Sequence, residues 1–435
     1  MKYFLNRYQK INAWILPGIV IFFFLSCNFN NQKQVEVLFW GMGAEGEQVK
    51  SLIPGFEKNN PQIKVKVQMI PWTAAQEKLI TAYASDNLPD AFQLGNTWIP
   101  QFVALDAIVS LDNWIKNSIQ INSDNYFRGI WDTNIIDGLI YGIPWYVDTR
   151  LLFYRTDVLE LAGFNKPPRT WDELYLLSKK INQLFINQEK YAIYLPTNEW
   201  APFVIFGLQA NSDLLKENNS YGDFSGPSFL RAFKFLIRFH KEKLAPIGMS
   251  QVTNVYQAFA NEYFSIYISG PWNIREFKKW MVGELNDKWM TAPLPGPDST
   301  TVGLSLAGGS SLVISKSSNN KEVVWRFFEY LSQPQVQIQF YHLVSDLPAV
   351  KSAWQDSTLK NDPYLRAFYE QFQHVVPTPK IAEWEQIAFS KIQQYAEIAA
   401  RGVMTPDEAL KALDAEVDQI LEKRRWLLKQ KNEKN

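Results

Sequence analysis

Strand and helix patterns alternate from residue 35 onward, and this alternation constrains the fold more than any other feature of the chain. Val35 to Trp40 is a mainly apolar run typical of a buried strand, and residues 63–69 alternate between apolar and polar side chains, which indicates a half-exposed strand. A helix is predicted between them near residues 46–59, and another strand at 90–94. The order strand, helix, strand, helix, strand favours a three-layer α/β domain with mostly parallel strands.

Helix starts are marked by capping boxes, in which a threonine is followed three residues later by glutamine or glutamate. The three candidates are Thr73 with Gln76, Thr170 with Glu173, and Thr405 with Glu408. About 400 residues follow position 34, which is more than one ordinary hydrophobic core accommodates. We therefore expect two lobes.

The N-terminal segment has the order of a secretory signal peptide. Basic residues precede an apolar run from Ile11 to Leu25 that is short for a membrane span, and Ser26 and Cys27 follow. Residues 1–26 are predicted to be a lipoprotein signal peptide, Cys27 the lipidated residue and residues 27–34 a polar tether. A plain signal anchor or cleavable signal with an incidental cysteine remains the alternative, since Phe24 departs from the usual lipoprotein pattern.

Cysteine content and charge exclude several functions. Cys27 is the single cysteine, so an intrachain disulfide and a cysteine zinc site are both excluded. Lysine plus arginine and aspartate plus glutamate each number 44, so the whole chain offers no field that would attract nucleic acid. The three histidines have no metal-ligand spacing, and HExxH, GxSxG and P-loop motifs are absent from the sequence. We expect no metal and no cofactor.

Residues 41–46 read Gly-Met-Gly-Ala-Glu-Gly and fit the G-x-G-x-x-G pattern after a strand. A dinucleotide site would also need an acidic residue at the end of the second strand, where the sequence reads Gln68-Met-Ile-Pro71. Glu45 would moreover repel a pyrophosphate. Two other interpretations stay open: a wall in which Glu45 or Glu47 accepts hydrogen bonds from ligand hydroxyls, and a plain glycine-rich turn.

Aromatic residues make up 15% of the chain and include 16 tryptophans. Many must fill the core. A tryptophan in a site wall, however, presents a flat apolar face that matches the C–H face of a pyranose ring.

Several sequence blocks resemble the family 1 extracellular solute-binding proteins, the sugar receptors of ABC importers, and most closely their trehalose/maltose type. The blocks stand in the family's order over nearly the whole chain after residue 34. They are 88–92, 137–155 with 168–174, 269–273 (Ser-Gly-Pro-Trp-Asn), 293–297 with Gly308 and Gly309, and 403–410.

The resemblance implies a two-lobed periplasmic-binding-protein fold of the α/β class, with a hinge of crossing segments between the lobes. The N-lobe is expected at residues 35–146 plus 304–346 and the C-lobe at 147–303 plus 347–435. The crossings are expected near 146–150, 301–306 and 346–350.

The resemblance also implies the ligand-binding residues. Asp148 matches a carboxylate that holds sugar hydroxyls at the first crossing, and Tyr146 lies two residues before it on the same strand face. Trp272 matches a tryptophan that stacks on a sugar ring. The remaining candidates are Glu45, Asn96, Trp98, Gly309 and Trp384.

Two positions depart from the family pattern. Ser310 stands where some relatives have a tryptophan, and Val376 where an arginine often precedes the proline. Trp384 and Arg366 are the candidates to replace these missing groups. These departures leave the identity of the sugar open.

The implied function is capture of a small carbohydrate, of about disaccharide size, by a monomeric exported protein that delivers it to an ABC permease. Trehalose, sucrose, maltose and glucosylglycerol are the candidate ligands, and the lipid anchor would hold the protein at the membrane. No enzymatic activity is expected. A secreted glycoside hydrolase or lyase is the alternative, and it would require two carboxylates facing each other across a cleft. A receptor for an anion or a peptide is the third possibility, and it would require basic side chains or helix N-termini there.

Overall fold

The computed structural model describes residues 34–247 and 252–434. Cys27, the predicted signal peptide and nearly all of the predicted tether lie outside these residues. Within them, no helix combines the length and the apolar character that crossing a membrane requires.

Ten strands of the described chain build its two larger sheets. In chain order they are β1 (Val35–Met42), β2 (Ile63–Ile70), β3 (Ala91–Gly95), β4 (Ile143–Asp148), β5 (Leu151–Arg155), β6 (Tyr191–Tyr194), β7 (Phe264–Ser269), β8 (Trp289–Ala292), β9 (Gly308–Ile314) and β10 (Leu347–Pro348). The first sheet has the order β10-β4-β9-β3-β1-β2, and the second has the order β8-β5-β7-β6.

Helices cover both sheets. They are α1 (Gly43–Gln48), α2 (Ile53–Asn59), α3 (Trp72–Ala84), α4 (Ile99–Ala104), α5 (Asp112–Asn117), α6 (Arg128–Asp132), α7 (Thr156–Leu161), α8 (Trp171–Leu184), α9 (Ala201–Gln209), α10 (Pro227–Lys241), α11 (Val255–Ala260), α12 (Asn273–Trp280), α13 (Lys321–Leu331), α14 (Pro334–Val344), α15 (Ser357–Lys360), α16 (Pro363–Gln371), α17 (Trp384–Gln386), α18 (Gln393–Ala400), α19 (Pro406–Ile420) and α20 (Glu422–Lys434). A π-helical segment, Ile387–Ile392, joins α17 to α18.

The predicted start of the first sheet is confirmed. β1 is parallel to both β2 and β3, with α1, α2 and α3 in the connections. The single helix predicted over residues 46–59 is instead two short helices. Pro54 lies in the first turn of α2, where its missing N–H is tolerated, whereas the interior of one long helix would lose a hydrogen bond there.

The predicted capping boxes have three different outcomes. The box at Thr405 is complete, and Thr170 accepts a hydrogen bond from the backbone N–H of Glu173. The box at Thr73 is wrong, because α3 begins at Trp72, so that Thr73 lies inside the helix, and the N-cap position is Pro71, which offers no side-chain cap. Thr73 and Gln76 consequently face the cavity described below.

The chain passes between the two sheets at three places. These are residues 149–150 between β4 and β5, residues 293–307 between β8 and β9, and the segment after β10, which leads to α16 against β8. Residues 147–148 and 347–348 pair within the first sheet. The first sheet therefore continues two residues beyond each of the predicted N-lobe limits at 146 and 346. The division of the chain into lobes itself stays a prediction.

Candidate functional site

A cavity of about 1290 Å³ lies between the two sheets and is lined from both sides. The first sheet contributes residues that directly follow its parallel strands: Glu45 after β1, Trp72 after β2, and Asn96 and Trp98 after β3. The carboxyl ends of parallel strands meet at one edge of a sheet, which is the usual position of a ligand site in an open α/β fold. The second sheet and the C-terminal helices supply the facing wall.

Three acidic residues form a group that we name the carboxylate floor: Glu45, Asp148 and Asp346. Asp148 ends β4 and Asp346 precedes β10, so two of the three lie where the chain passes between the sheets. The Tyr146 hydroxyl donates a hydrogen bond of 2.9 Å to Oε1 of Glu45. Oδ2 of Asp346 is buried and has no hydrogen-bond partner. The floor therefore contains an acceptor that the protein leaves unfilled.

Burial dominates the protonation behaviour of the floor. It raises the pKa of Asp346 well above its ordinary value, and the charges of Glu45 and Asp148 raise it further. Burial also raises the pKa of Glu45 and of Asp148, although hydrogen bonds to Glu45 and the adjacent guanidinium of Arg150 oppose the rise. The three groups thus hold their protons more tightly than free carboxyl groups do.

Arg150 is the cation that lines the cavity. Its Nη1 lies 3.0 Å from Oδ1 of Asp148, and its guanidinium lies 4.5 Å from the centre of the Trp272 ring. Trp272 is 43% exposed, in contrast to the core tryptophans of this chain. The side chain of Arg150 is therefore held between a carboxylate and an aromatic face.

A second aromatic group stands on the side of the first sheet. The rings of Trp72 and Trp98 meet edge to face at 5.7 Å, and Nε1 of Trp72 donates to both oxygens of Glu45, at 3.2 and 3.3 Å. Trp200 and Phe389 line the opposite side, with ring centres 5.6 Å apart. Flat apolar faces thus border the cavity on both sides.

Glu383 and Glu385 enter the cavity from the C-terminal region. Each has one buried carboxylate oxygen without a hydrogen-bond partner. Burial raises the pKa of Glu385, while hydrogen bonds from Thr97 and Trp98 oppose the rise. Because Thr97 and Trp98 follow β3, Glu385 also links the two sides of the cavity.

Two close backbone contacts explain glycines near the site. A Cβ on Gly46 would lie 2.4 Å from the carbonyl carbon of Gly41, so the glycines of the G-x-G-x-x-G segment let α1 pack directly on β1 and bring Glu45 to the floor. Gly309 has a φ of 115°, and a Cβ there would lie 2.3 Å from the carbonyl oxygen of Tyr146. Close packing accounts for the glycine motif without a pyrophosphate.

The structure brings seven of the eight predicted binding residues to this cavity. They are Glu45, Asn96, Trp98, Tyr146, Asp148, Trp272 and Gly309. Whether each contacts a ligand stays a prediction.

Trp384 is placed differently. It is fully buried among the C-terminal helices, and its ring packs edge to face on Trp200 at 6.0 Å, so Trp200 is the one of the two that lines the cavity. Arg366 lies in a separate cavity of about 310 Å³ beside Trp354 and Tyr369.

Sequence reasoning missed Trp72, Arg150, Trp200 and Asp346. Trp72 directly follows β2, and the rule that selected Asn96 and Trp98 after β3 would have selected it. Asp346 opens the third predicted crossing, and Arg150 closes the first. Trp200 carried no comparable signal.

Among the described residues, no group of three or more His, Cys, Asp or Glu side chains could hold a metal ion. The cavity offers hydrogen-bond acceptors, aromatic faces and one guanidinium. This combination suits a neutral or basic polar ligand and does not suit an anion, for which several donors or cations would be needed.

Comparisons with known proteins agree with this geometry. The family model described as bacterial extracellular solute-binding protein matches residues 41–338. The sugar-binding protein MalE of Xanthomonas citri is 45% identical, with a TM-score of 0.87, over 91% of this chain and 100% of that chain. A solute-binding protein of Thermotoga lettingae, solved with α-D-tagatose, is 28% identical, with a TM-score of 0.73, over 89% of this chain and 100% of that one.

The galactooligosaccharide-binding protein of Bacillus subtilis is 24% identical over 88% of each chain. The predicted family and the two-lobed α/β fold are confirmed. The chain belongs to the bacterial extracellular solute-binding proteins.

Proposed function

We propose that this protein is the substrate-binding component of an ABC importer and captures a small sugar or glycoside between its two lobes. The observation that carries the proposal is the composition of the cavity: aromatic faces on both sides and carboxylate oxygens that the protein leaves without partners. The apolar C–H faces of a pyranose can pack on the aromatic rings, and its hydroxyl groups can donate hydrogen bonds to the carboxylate oxygens. The sugar-binding relatives support the same class of ligand.

Capture follows from differential contact. A ligand that touches both sides of the cavity makes more contacts when the lobes are closed, so it shifts the population toward the closed form. The three passages between the sheets are the segments about which the lobes would move. The closed form would then be the one presented to a membrane permease.

Location is the second part of the proposal. We infer that the protein is exported and that Cys27 carries lipid, which keeps the receptor near its permease and raises its local concentration there. Mass spectrometry of the protein from its native membrane measures this directly. A mature N-terminus at Cys27 with attached acyl groups is expected, and an unmodified Cys27 would remove the anchor and leave the receptor function standing.

Titration calorimetry of the mature chain against trehalose, maltose, sucrose and glucosylglycerol tests the ligand class. We expect at least one of them to bind with a dissociation constant of about 10 μM or tighter, in the range of a specific site. Chromatography of the same mixtures after prolonged incubation should recover the ligand unchanged. Hydrolysis would support the glycoside hydrolase alternative, and absence of binding across the panel would refute the sugar class.

A further inference from the structure

The charged side chains that line the cavity are strongly unbalanced in sign. Five are carboxylates, Glu45, Asp148, Asp346, Glu383 and Glu385, and one is a guanidinium, that of Arg150. Arg150 forms its short ion pair with Asp148. In the described chain the other four carboxylates have no ion pair. Arg275 acts on Asp346 electrostatically but forms its own ion pair with Glu276.

Shielded carboxylates normally have a cationic partner or a metal, because an unpaired buried charge is costly. Here, oxygens of Asp346, Glu383 and Glu385 are buried without a hydrogen-bond partner. The acidic groups of the described chain also lack the grouping that would hold a metal ion. The missing positive charge is therefore one that an organic ligand can supply.

Arg150 shows how a cation is held in this cavity, between the carboxylate of Asp148 and the face of Trp272. A second carboxylate with aromatic neighbours lies across the floor, where the indole N–H of Trp72 donates to Glu45 and Trp98 stands beside Trp72. No cationic side chain of the described residues completes this second arrangement. A ligand ammonium would find the carboxylate of Glu45 there, with Asp346 electrostatically coupled to Glu45.

We propose that the preferred ligand carries a protonated amino group, as an aminodeoxy sugar or its glycoside does, and that Glu45 and Asp346 bind this group. The inference rests on the proposed sugar-binding function. Hydroxyl groups also satisfy the free acceptors, but they leave the negative charges of the floor unneutralised. A protonated amine donates hydrogen bonds to the free acceptors and also neutralises negative charge, so it gains a charge-assisted hydrogen bond that the neutral sugar lacks.

The protonation behaviour agrees with this assignment. Burial and the mutual repulsion of the carboxylates raise the pKa values of the floor in the empty cavity, and a bound ammonium would lower them again. Affinity for the amine should therefore fall at acidic pH, where the floor is protonated. It should also fall at alkaline pH, where the ligand loses its charge. A neutral sugar should show no alkaline decrease.

Matched ligand pairs test the proposal by calorimetry at low ionic strength near neutral pH. The pairs are trehalose with 2-amino-2-deoxytrehalose, maltose with its 2-amino-2-deoxy derivative, and cellobiose with deacetylated chitobiose. In the pair that fits the cavity, we expect the amine to bind at least about tenfold more tightly and its advantage to shrink with added salt. Equal or tighter binding of the neutral member would overturn the proposal while leaving sugar capture intact. Failure of every member to bind would refute sugar capture itself.

Variants locate the amino group. Glu45→Gln and Asp346→Asn keep the shape of each side chain and remove its charge, so each should lower the ratio of amine to neutral affinity by about tenfold. Glu47→Gln is the matched control, because Glu47 is on the same helix, is exposed, and pairs with Lys50 outside the cavity. The ratio should not change in this control. An unchanged ratio in both floor variants, each of which still unfolds cooperatively on heating, would overturn the assignment to Glu45 and Asp346.

Discussion

Folding and ligand binding favour different protonation states of Asp346: the empty fold favours the protonated carboxyl group, and the proposed binding of an amine requires the charged one. Its pKa is raised well above the ordinary value, first by burial and then by Glu45 and Asp148. The unfolded chain therefore ionises at lower pH than the folded one. The fold is relatively more stable where the carboxyl is protonated in both states, and it loses that stability as pH rises through the raised pKa.

The substitution Asp346→Asn should accordingly stabilise the empty protein at neutral pH. It removes an ionisable group whose charged form lacks a partner, and we expect the melting temperature to rise by about 1–3 °C at neutral pH, with a smaller gain near pH 4. Differential scanning calorimetry at both pH values measures the difference. Asp298→Asn is the control, and it should lower the melting temperature at neutral pH. Asp298 accepts hydrogen bonds from Thr300 and Thr301 that lower its pKa, so its charged form is the one that the fold favours. A lower melting temperature of Asp346→Asn at neutral pH would contradict this account.

Asp148 and Asp157 form a pair of aspartates with opposite expected effects. Both bind an arginine two residues away, but Asp148 faces the cavity with Arg150, whereas Asp157 shares with Glu262 the neutralisation of Arg155, which is 1% exposed. Asp148→Asn should weaken sugar binding by about tenfold or more with little change in stability. Asp157→Asn should cost about 1–3 kcal/mol of unfolding free energy, since Glu262 still pairs with Arg155, and should leave affinity unchanged.

Urea unfolding and calorimetric titration of the two aspartate variants separate these effects. Equal losses of affinity in both variants would argue against a ligand role for Asp148.

At the scale of elements, α1 and β1 depend on two facing glycines. A Cβ on Gly46 would overlap the backbone of Gly41, so Gly46→Ala must push α1 away from β1 and move Glu45 out of the floor. We expect a loss of about 1–3 kcal/mol in stability together with weaker binding. Chemical denaturation and titration measure both quantities.

Gly95→Ala serves as the stability control for Gly46→Ala. A Cβ on Gly95 would meet the Trp98 ring at 3.6 Å, an ordinary contact distance. Its unfolding free energy should stay within about 0.5 kcal/mol of the unsubstituted protein. If Gly46→Ala were equally mild, close helix–strand packing would not be the reason for the motif.

Elements were more predictable than the directions of individual side chains. Local periodicity was enough to place β1, β2 and β3, because each strand pattern depends on adjacent residues. Asp148, Tyr146 and Trp272 were placed through the family resemblance. Trp384 shows the limit: the chain from α17 to α18 includes a π-helical segment, and neither this distortion nor the packing of Trp384 behind Trp200 follows from local sequence.

For the whole molecule, the proposed balance between open and closed lobes should depend on contacts that join the first-sheet region to the C-terminal region. Nζ of Lys380 lies 2.9 Å from both the carbonyl oxygen and Oδ1 of Asp132 in α6. Glu385 makes a second connection to Thr97 and Trp98. These contacts need no ligand, so under the proposed mechanism they would favour closure even in the empty protein.

Removing the contact with Lys380→Met should favour the open form. The pair is partly exposed, so its contribution is of surface ion-pair size, and we expect affinity to fall only about two- to fivefold. Small-angle X-ray scattering should show a larger radius of gyration for the empty variant. Lys234→Met, which breaks an ion pair with Asp407 away from the cavity, should change neither value. An unchanged radius with unchanged affinity would show that this contact does not govern closure.

The cavity wall begins at Glu45 and ends at Ser390, so its parts are separated by most of the chain. Such long-range contacts form late during folding, because the loops that join them must close first. A partly folded chain therefore offers no binding site. Added ligand should leave the refolding rate unchanged and slow unfolding alone, which stopped-flow fluorescence can measure. The receptor would then gain its kinetic protection only after the last helices have docked.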